Sequence, residues 1–198
     1  MSLLSILKHL PAGEATKADG ERINNLSGFY PSMYETDAEL LELDGLIEKS
    51  KSKSGEHLNS LFGMGEWLSA QQVSHHLQGI RSVALATVNS RLEPRVAPLE
   101  AVLFHGKFCV ALQSDSTRVK QIANRPAASI TYTREDDVLI TVNGNATLVR
   151  GGEEDFAGLD AEWKKKYGTD VWDSIVFVKL NPTHIVAYAI NPELFPTA

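Results

Sequence analysis

Apolar and polar positions alternate along most of this chain after Trp67, and the period is two. Residues 81–88 (RSVALATV), 94–104 (PRVAPLEAVLF), 108–113 (FCVALQ), 127–133 (AASITYT) and 138–149 (VLITVNGNATLV) each read as a strand. Two more follow at 174–180 and 184–190, separated by Asn181-Pro182. Turn residues punctuate the series at Asn89–Glu93, His105-Gly106-Lys107 and Arg134–Asp137. Pro94 and Pro98 cannot donate to a ladder, so the second strand must have an edge, a bulge or a non-strand neighbour on one side. Asn143-Gly144 predicts a bulge or bend within its strand.

Between and before these runs the period becomes helical. Leu3, Leu4, Ile6, Leu7 and Leu10 form a short amphipathic stretch ended by Pro11, suited to a packing or oligomer contact, and residues 12–35 read as loop. Thr36 and Glu39 form a capping box ahead of the stripe Leu40, Leu43 and Ile47. The Lys/Ser alternation from Lys49 to Gly55 reads as a solvated linker. Ser69 and Gln72 form a second box, with Leu68 and Val73 as a staple, and that helix ends near Gly79. A helix over 115–124 stops before Pro126. Another over 153–167 has Glu153, Glu154 and Asp155 in its first turn, Lys164–Lys166 in its last and Gly168 as C-cap. Phe156, Leu159, Trp163 and Tyr167 are its predicted buried face. Six or more antiparallel strands with few helices predict an α+β, mainly β chain closed into a barrel. Residues 1–66 are read as a helical and loop extension, and 67–198 as the barrel domain.

The 198 residues suffice for one domain with a substantial core plus an appendage. A net charge of −6 argues against a general nucleic-acid partner. Cys109, the single cysteine, permits no intrachain disulfide and reads as a small buried thiol. No apolar run approaches the ~20 residues of a spanning helix, and the N-terminus lacks a basic leader. The reading is a soluble, cytoplasmic protein with no membrane partner. His75 and His76 are adjacent on a helix and point apart, so no metal site is expected there. No acid–base or Ser-His-Asp constellation stands out.

One stretch carries chemistry. Leu112–Ile122 (LQSDSTRVKQI) passes from strand to helix through Ser114-Asp115-Ser116-Thr117, with Arg118 in the first turn. Unpaired N–H groups, a positive dipole end, hydroxyls and a guanidinium suit a phosphate. The alternative is an ordinary cap, made by Ser114 or Asp115, with Arg118 solvated.

The order of these segments resembles the pyridoxamine-phosphate-oxidase-like, flavin-binding split barrels. Arg81–Thr87 is similar to that family's opening strand, and Asn89–Pro94 with 95–104 to its second. Ser116-Thr117-Arg118, then Ile122 and Pro126, resembles its Ser-x-Lys/Arg run, and Val142–Ala146 its Gly-x-Ala strand. The resemblance spans about 67–190 and implies a six-stranded antiparallel split β-barrel with flanking helices. It further implies a homodimer with FMN at the subunit interface, a small-molecule substrate and a flavin-dependent oxidoreductase activity. The FMN phosphate is then expected at Ser116, Thr117 and Arg118, and the ring along Ala97, Pro98, Leu99 and Glu100, held by backbone groups. Gln113 is a further polar contact. Where family members carry a basic residue on the second strand, this chain has Ala97, with Arg95 two residues earlier on the same face. Asp115 must point away from the anion. Arg125-Pro126 replaces Asn-Pro, and the C-terminal motif that binds pyridoxamine phosphate is not recognisable, so vitamin B6 synthesis is not implied. Alternatives are a deazaflavin, for which Arg95 and Lys120 are available, haem, with His105 or His184 as axial ligand, and a non-enzymatic flavin-binding module.

Overall fold

Six of the alternating segments pair edge to edge and return on themselves. The structure, a computed structural model, describes residues 34–55, 58, 66–134, 137–168 and 174–192. In chain order it contains α1 (Asp37–Lys53), β1 (Glu66–Trp67), α2 (Ala70–His76), β2 (Arg81–Val88), β3 (Pro94–Phe104), β4 (Lys107–Gln113), α3 (Thr117–Asn124), β5 (Ala127–Arg134), β6 (Val138–Val149), α4 (Phe156–Tyr167) and β7 (Ile175–Ala189). All pairings are antiparallel, in the order β1-β7-β4-β3-β2-β5-β6, and a further β6–β7 pairing closes β2–β7 into a six-stranded barrel. The predicted Leu3–Leu10 helix lies outside the described residues.

Alternation sorts the side chains into two clusters. Leu85, Leu103, Val110, Ile130, Ile140, Val178 and Ile185 point into the barrel with their strand partners. The opposite phase places Val102, Phe104, Cys109, Ala111 and Phe177 under Leu159 and Trp163 of α4. Phe177 meets Phe156 and Trp163 ring to ring, both at 5.3 Å. At the β3–β4 turn, His105 and Gly106 both have positive φ (51° and 68°), as a two-residue type I′ hairpin requires.

Four readings of the sequence are corrected here. The Lys49–Gly55 stretch is not a linker: α1 continues to Lys53, and Ser50 is buried, in phase with Leu43 and Ile47. Its hydroxyl donates to Leu46 O at 2.8 Å and accepts from Ile185 N at 3.0 Å. Composition there described the outer face only. The last two strands are one, since Pro182 sits where β7 has β6 on one side and has left β4, so its missing N–H breaks no ladder. The predicted bulge is present: register shifts at Asn143/Gly144, with Thr183 as the extra residue of β7. Third, α4 starts at Phe156 with Asp155 as N-cap, so Glu153 and Glu154 precede the helix. Fourth, Tyr167 is not part of the buried face; it is 44% exposed.

Both capping boxes form as read, at Thr36/Glu39 and Ser69/Gln72. Leu43 and Ile47 of α1 join the barrel's own core cluster. Two buried carboxylates are bonded, Glu35 to separate segments and Glu162 within α4. Glu35 accepts from the Ser74 hydroxyl and from Gly106 N at 3.4 Å, and Glu162 accepts from Lys165.

Candidate flavin site

The barrel is split on one side. β3 and β4 are paired from Phe104–Lys107 to Ala101–Val110, and there they part. Among the described residues, 94–100 of β3 keep β2 as their only strand neighbour, while Ala111–Gln113 of β4 keep β7. This open half of β3 contains Arg95, Ala97, Pro98, Leu99 and Glu100, every β3 residue assigned to the site by sequence. Pro94 and Pro98 fall in it because an open edge needs fewer donors. No described strand pairs with that edge, so its backbone groups can serve a ligand.

Beyond the split, β4 runs into the turn at 114–116 and then α3. Ser116 is the N-cap, its Oγ accepting from Val119 N at 3.3 Å, while its N–H donates to Gln113 O at 3.1 Å. This corrects the helix start, expected at 115, and the cap that the alternative reading gave to Ser114 or Asp115. Ser114 is instead held by Ser174, with N–H to O at 3.1 Å and hydroxyl to hydroxyl at 2.9 Å. Asp115 and Thr117 are exposed. Val119 and Ile122 anchor α3 in the barrel core. Thr87 of β2, itself buried, donates to Gln121 Oε1 at 2.7 Å and fixes the helix against the sheet.

Arg118 is the informative side chain. Its Nε is buried and has no hydrogen-bond partner, and burial pulls the guanidinium's pKa below its ordinary value. A buried donor without a partner costs about 1–3 kcal/mol, more when charged. An anion at the first turn of α3 would remove that cost. The Ser116 hydroxyl accepts from Val119 and retains its own proton to donate.

Elsewhere the expected contacts are qualified. Arg95 and Ala97 share a face, as alternation requires, but Arg95 is bonded to Glu93 Oε2 at 2.8 Å, and Glu93 also holds Arg91 at 3.1 Å. Leu99 packs against the barrel core, and Gln113 is exposed at the end of β4. Glu100 turns its carboxylate to the last turn of α4, where it accepts from Lys166 Nζ at 2.7 Å and from the Tyr167 hydroxyl. Burial, and then Glu100 itself, push the Tyr167 phenol above its ordinary pKa. Neither partner was found from sequence, because the contact spans 66 and 67 residues. Trp172, which the sequence offers as a lining residue for a substrate pocket, lies outside the described residues. His105 sits at the hairpin tip, at the other end of β4 from α3, with Nδ1 at 3.1 Å from Glu39 Oε1. His184 is half-buried on β7 opposite Asn143. Among the described residues no three His, Cys, Asp or Glu side chains gather to hold a metal ion.

The family profile described as "Pyridoxamine 5'-phosphate oxidase" matches residues 69–191, more than half the chain. The chain belongs to the pyridoxamine 5'-phosphate oxidase family. No curated protein matches it. Solved structures resemble it in fold. A FAD-binding protein from Mesorhizobium loti is 15% identical, with TM-score 0.51 over 63% of this chain and 95% of that one. General Stress Protein 26 from Bacillus anthracis is 22% identical, with TM-score 0.49 over 59% and 91%. A haem storage protein from Vibrio cholerae is 16% identical, with TM-score 0.47 over 54% and 85%. The split barrel of the family is the architecture seen here. No described helix is long and apolar enough to cross a membrane.

Proposed function

We propose that this family member is an FMN-dependent oxidoreductase acting on a small molecule, working as a homodimer with the cofactor between subunits. The observation that carries the reading is the unpartnered, buried Nε of Arg118 at the first turn of α3. Arg118, the Ser116 hydroxyl and the Thr117 hydroxyl would hold the phosphate, assisted by the positive end of α3. Open-edge backbone groups of β3 between Ala97 and Glu100 would hold the ring, and Leu99, packed on the core, keeps that strand half in place. Bound flavin supplies hydride or electron transfer, and the protein supplies binding, orientation and electrostatics. Dimerisation is supported by Leu92, 73% exposed just before the open half of β3, by Val96, 66% exposed on it, and by exposed Ser82 and Ala84 on β2.

The test is an absorption spectrum of purified protein after addition of FMN and removal of the excess. A flavin spectrum that stays with the protein supports the reading, and a protein that retains none sinks it. Arg118→Ala tests the site, with an expected loss of tenfold to a hundredfold in FMN affinity, corresponding to ~1.5–3 kcal/mol. Unchanged affinity removes Arg118 from the site.

A further inference from the structure

Glu100 is the last residue of the open half of β3 before pairing with β4 resumes at Ala101–Val110. Alternation puts it on the face of Val96 and Pro98, away from the barrel core. Both carboxylate oxygens are engaged: Oε1 accepts from Lys166 Nζ at 2.7 Å, and Oε2 from the Tyr167 hydroxyl. Lys166 also lies 5.3 Å from the Tyr167 ring centroid. Two donors from adjacent residues of one helix turn therefore fix the direction of the carboxylate. The neighbouring lysines of α4 are committed elsewhere, Lys164 to Asp160 at 2.7 Å and Lys165 to Glu162. Glu100 and Lys166 are both partly exposed, at 34% and 40%, so their charges act through a mixed dielectric rather than a dry one.

We infer that Glu100 and Lys166 form an opposed charge pair that sets the site's preference between oxidised and reduced flavin. Glu100 disfavours the reduced form and Lys166 favours it. The inference rests on the flavin reading above, with the ring along the open half of β3. Two-electron reduction of FMN takes up one proton near neutral pH and leaves the flavin one charge more negative. A charged group beside the ring shifts the balance between the two forms. Removing the carboxylate leaves Lys166 unopposed, and removing the ammonium leaves Glu100 unopposed. The two losses must act with opposite sign, which a merely structural contribution would not produce.

The experiment measures dissociation constants of the full chain for oxidised FMN and, without oxygen, for dithionite-reduced FMN. Glu100→Gln is expected to raise the ratio of oxidised to reduced constants about threefold to tenfold, as one unit charge does across several ångströms of mixed dielectric. Lys166→Met is expected to lower it by a similar factor. Both changes should shrink at 1 M salt, where the Debye length is about 3 Å. Tyr167→Phe, which keeps both charges, should move the ratio less than twofold. Shifts of the same sign in Glu100→Gln and Lys166→Met, or ratios within twofold of the parent, overturn the pair while leaving flavin binding intact. Absence of FMN binding by the parent chain overturns the flavin reading itself.

Discussion

The hydroxyl of Ser50, in the fourth turn of α1, accepts a hydrogen bond from the backbone N–H of Ile185 at 3.0 Å. β7 has left β4 by this point and, among the described residues, pairs here with β6 alone, so the side of Ile185 that faces away from β6 has no strand to receive its donor. The side chain of α1 satisfies the sheet edge in place of another strand. Ser50→Ala should therefore leave a buried N–H unpaired and cost about 1–3 kcal/mol. Urea denaturation measures it, and a loss below about 0.5 kcal/mol would show that the edge finds another partner.

Two glycines separate backbone from side-chain crowding. A Cβ at Gly144 would stand 2.1 Å from the carbonyl oxygen of Asn181, whereas at Gly158 it would meet the ring end of Phe104 at 2.6 Å. The first contact is with backbone held by the β6–β7 bulge, while the second is with a ring that can shift. Gly144→Ala should cost more than Gly158→Ala, with overpacking of about 1–3 kcal/mol as the scale. Thermal unfolding of both variants checks the order.

His76 is buried against Tyr132, ring centroids 5.2 Å apart. Burial first, then Arg134 and Arg81, lower its pKa from 6.5 to about 4. Between those values the unfolded chain binds a proton that the folded chain refuses, so stability falls as pH drops from about 6.5 toward 4. The loss attributable to this group is about 2–3 kcal/mol. His76→Phe should flatten the stability profile in that window, as measured by denaturation at several pH values. An unchanged slope would assign the acid sensitivity to other groups.

Arg118 is expected to trade stability against binding. Replacing it by Met removes a buried, unpartnered donor, so the ligand-free protein should unfold at an equal or higher temperature. The same variant should lose FMN affinity. Ser116→Ala, by contrast, removes the α3 cap and should cost about 1 kcal/mol without ligand. A lower unfolding temperature for Arg118→Met would mean that the guanidinium already stabilises the empty protein.

Strand positions were legible because alternation reports directly which face is buried; β2, β3 and β6 have the residue limits read from sequence. The open half of β3 was legible through Pro94 and Pro98, whose chemistry limits their strand neighbours. Composition misled at Lys49–Ser54, where one buried serine in register with Leu43 and Ile47 outweighs the lysines around it. The cap of α3 was misplaced because three adjacent residues could each cap, and the contacts of Ser114 with Ser174 decide among them from 60 residues away. The partners of Glu100 were illegible for the same reason: no local pattern encodes a contact between a strand and a helix turn so distant in sequence.

β7 pairs with β1, β4 and β6, and its backbone meets α1 through Ser50. It is also the last of the barrel strands in chain order. During synthesis, β2 to β6 can pair in sequence as they emerge, yet β4 and β6 keep bare edges until residues 175–189 arrive. Barrel closure is therefore deferred to a late, long-range step. The nascent protein is most exposed to edge-to-edge aggregation in the interval between the appearance of β6 and that of β7.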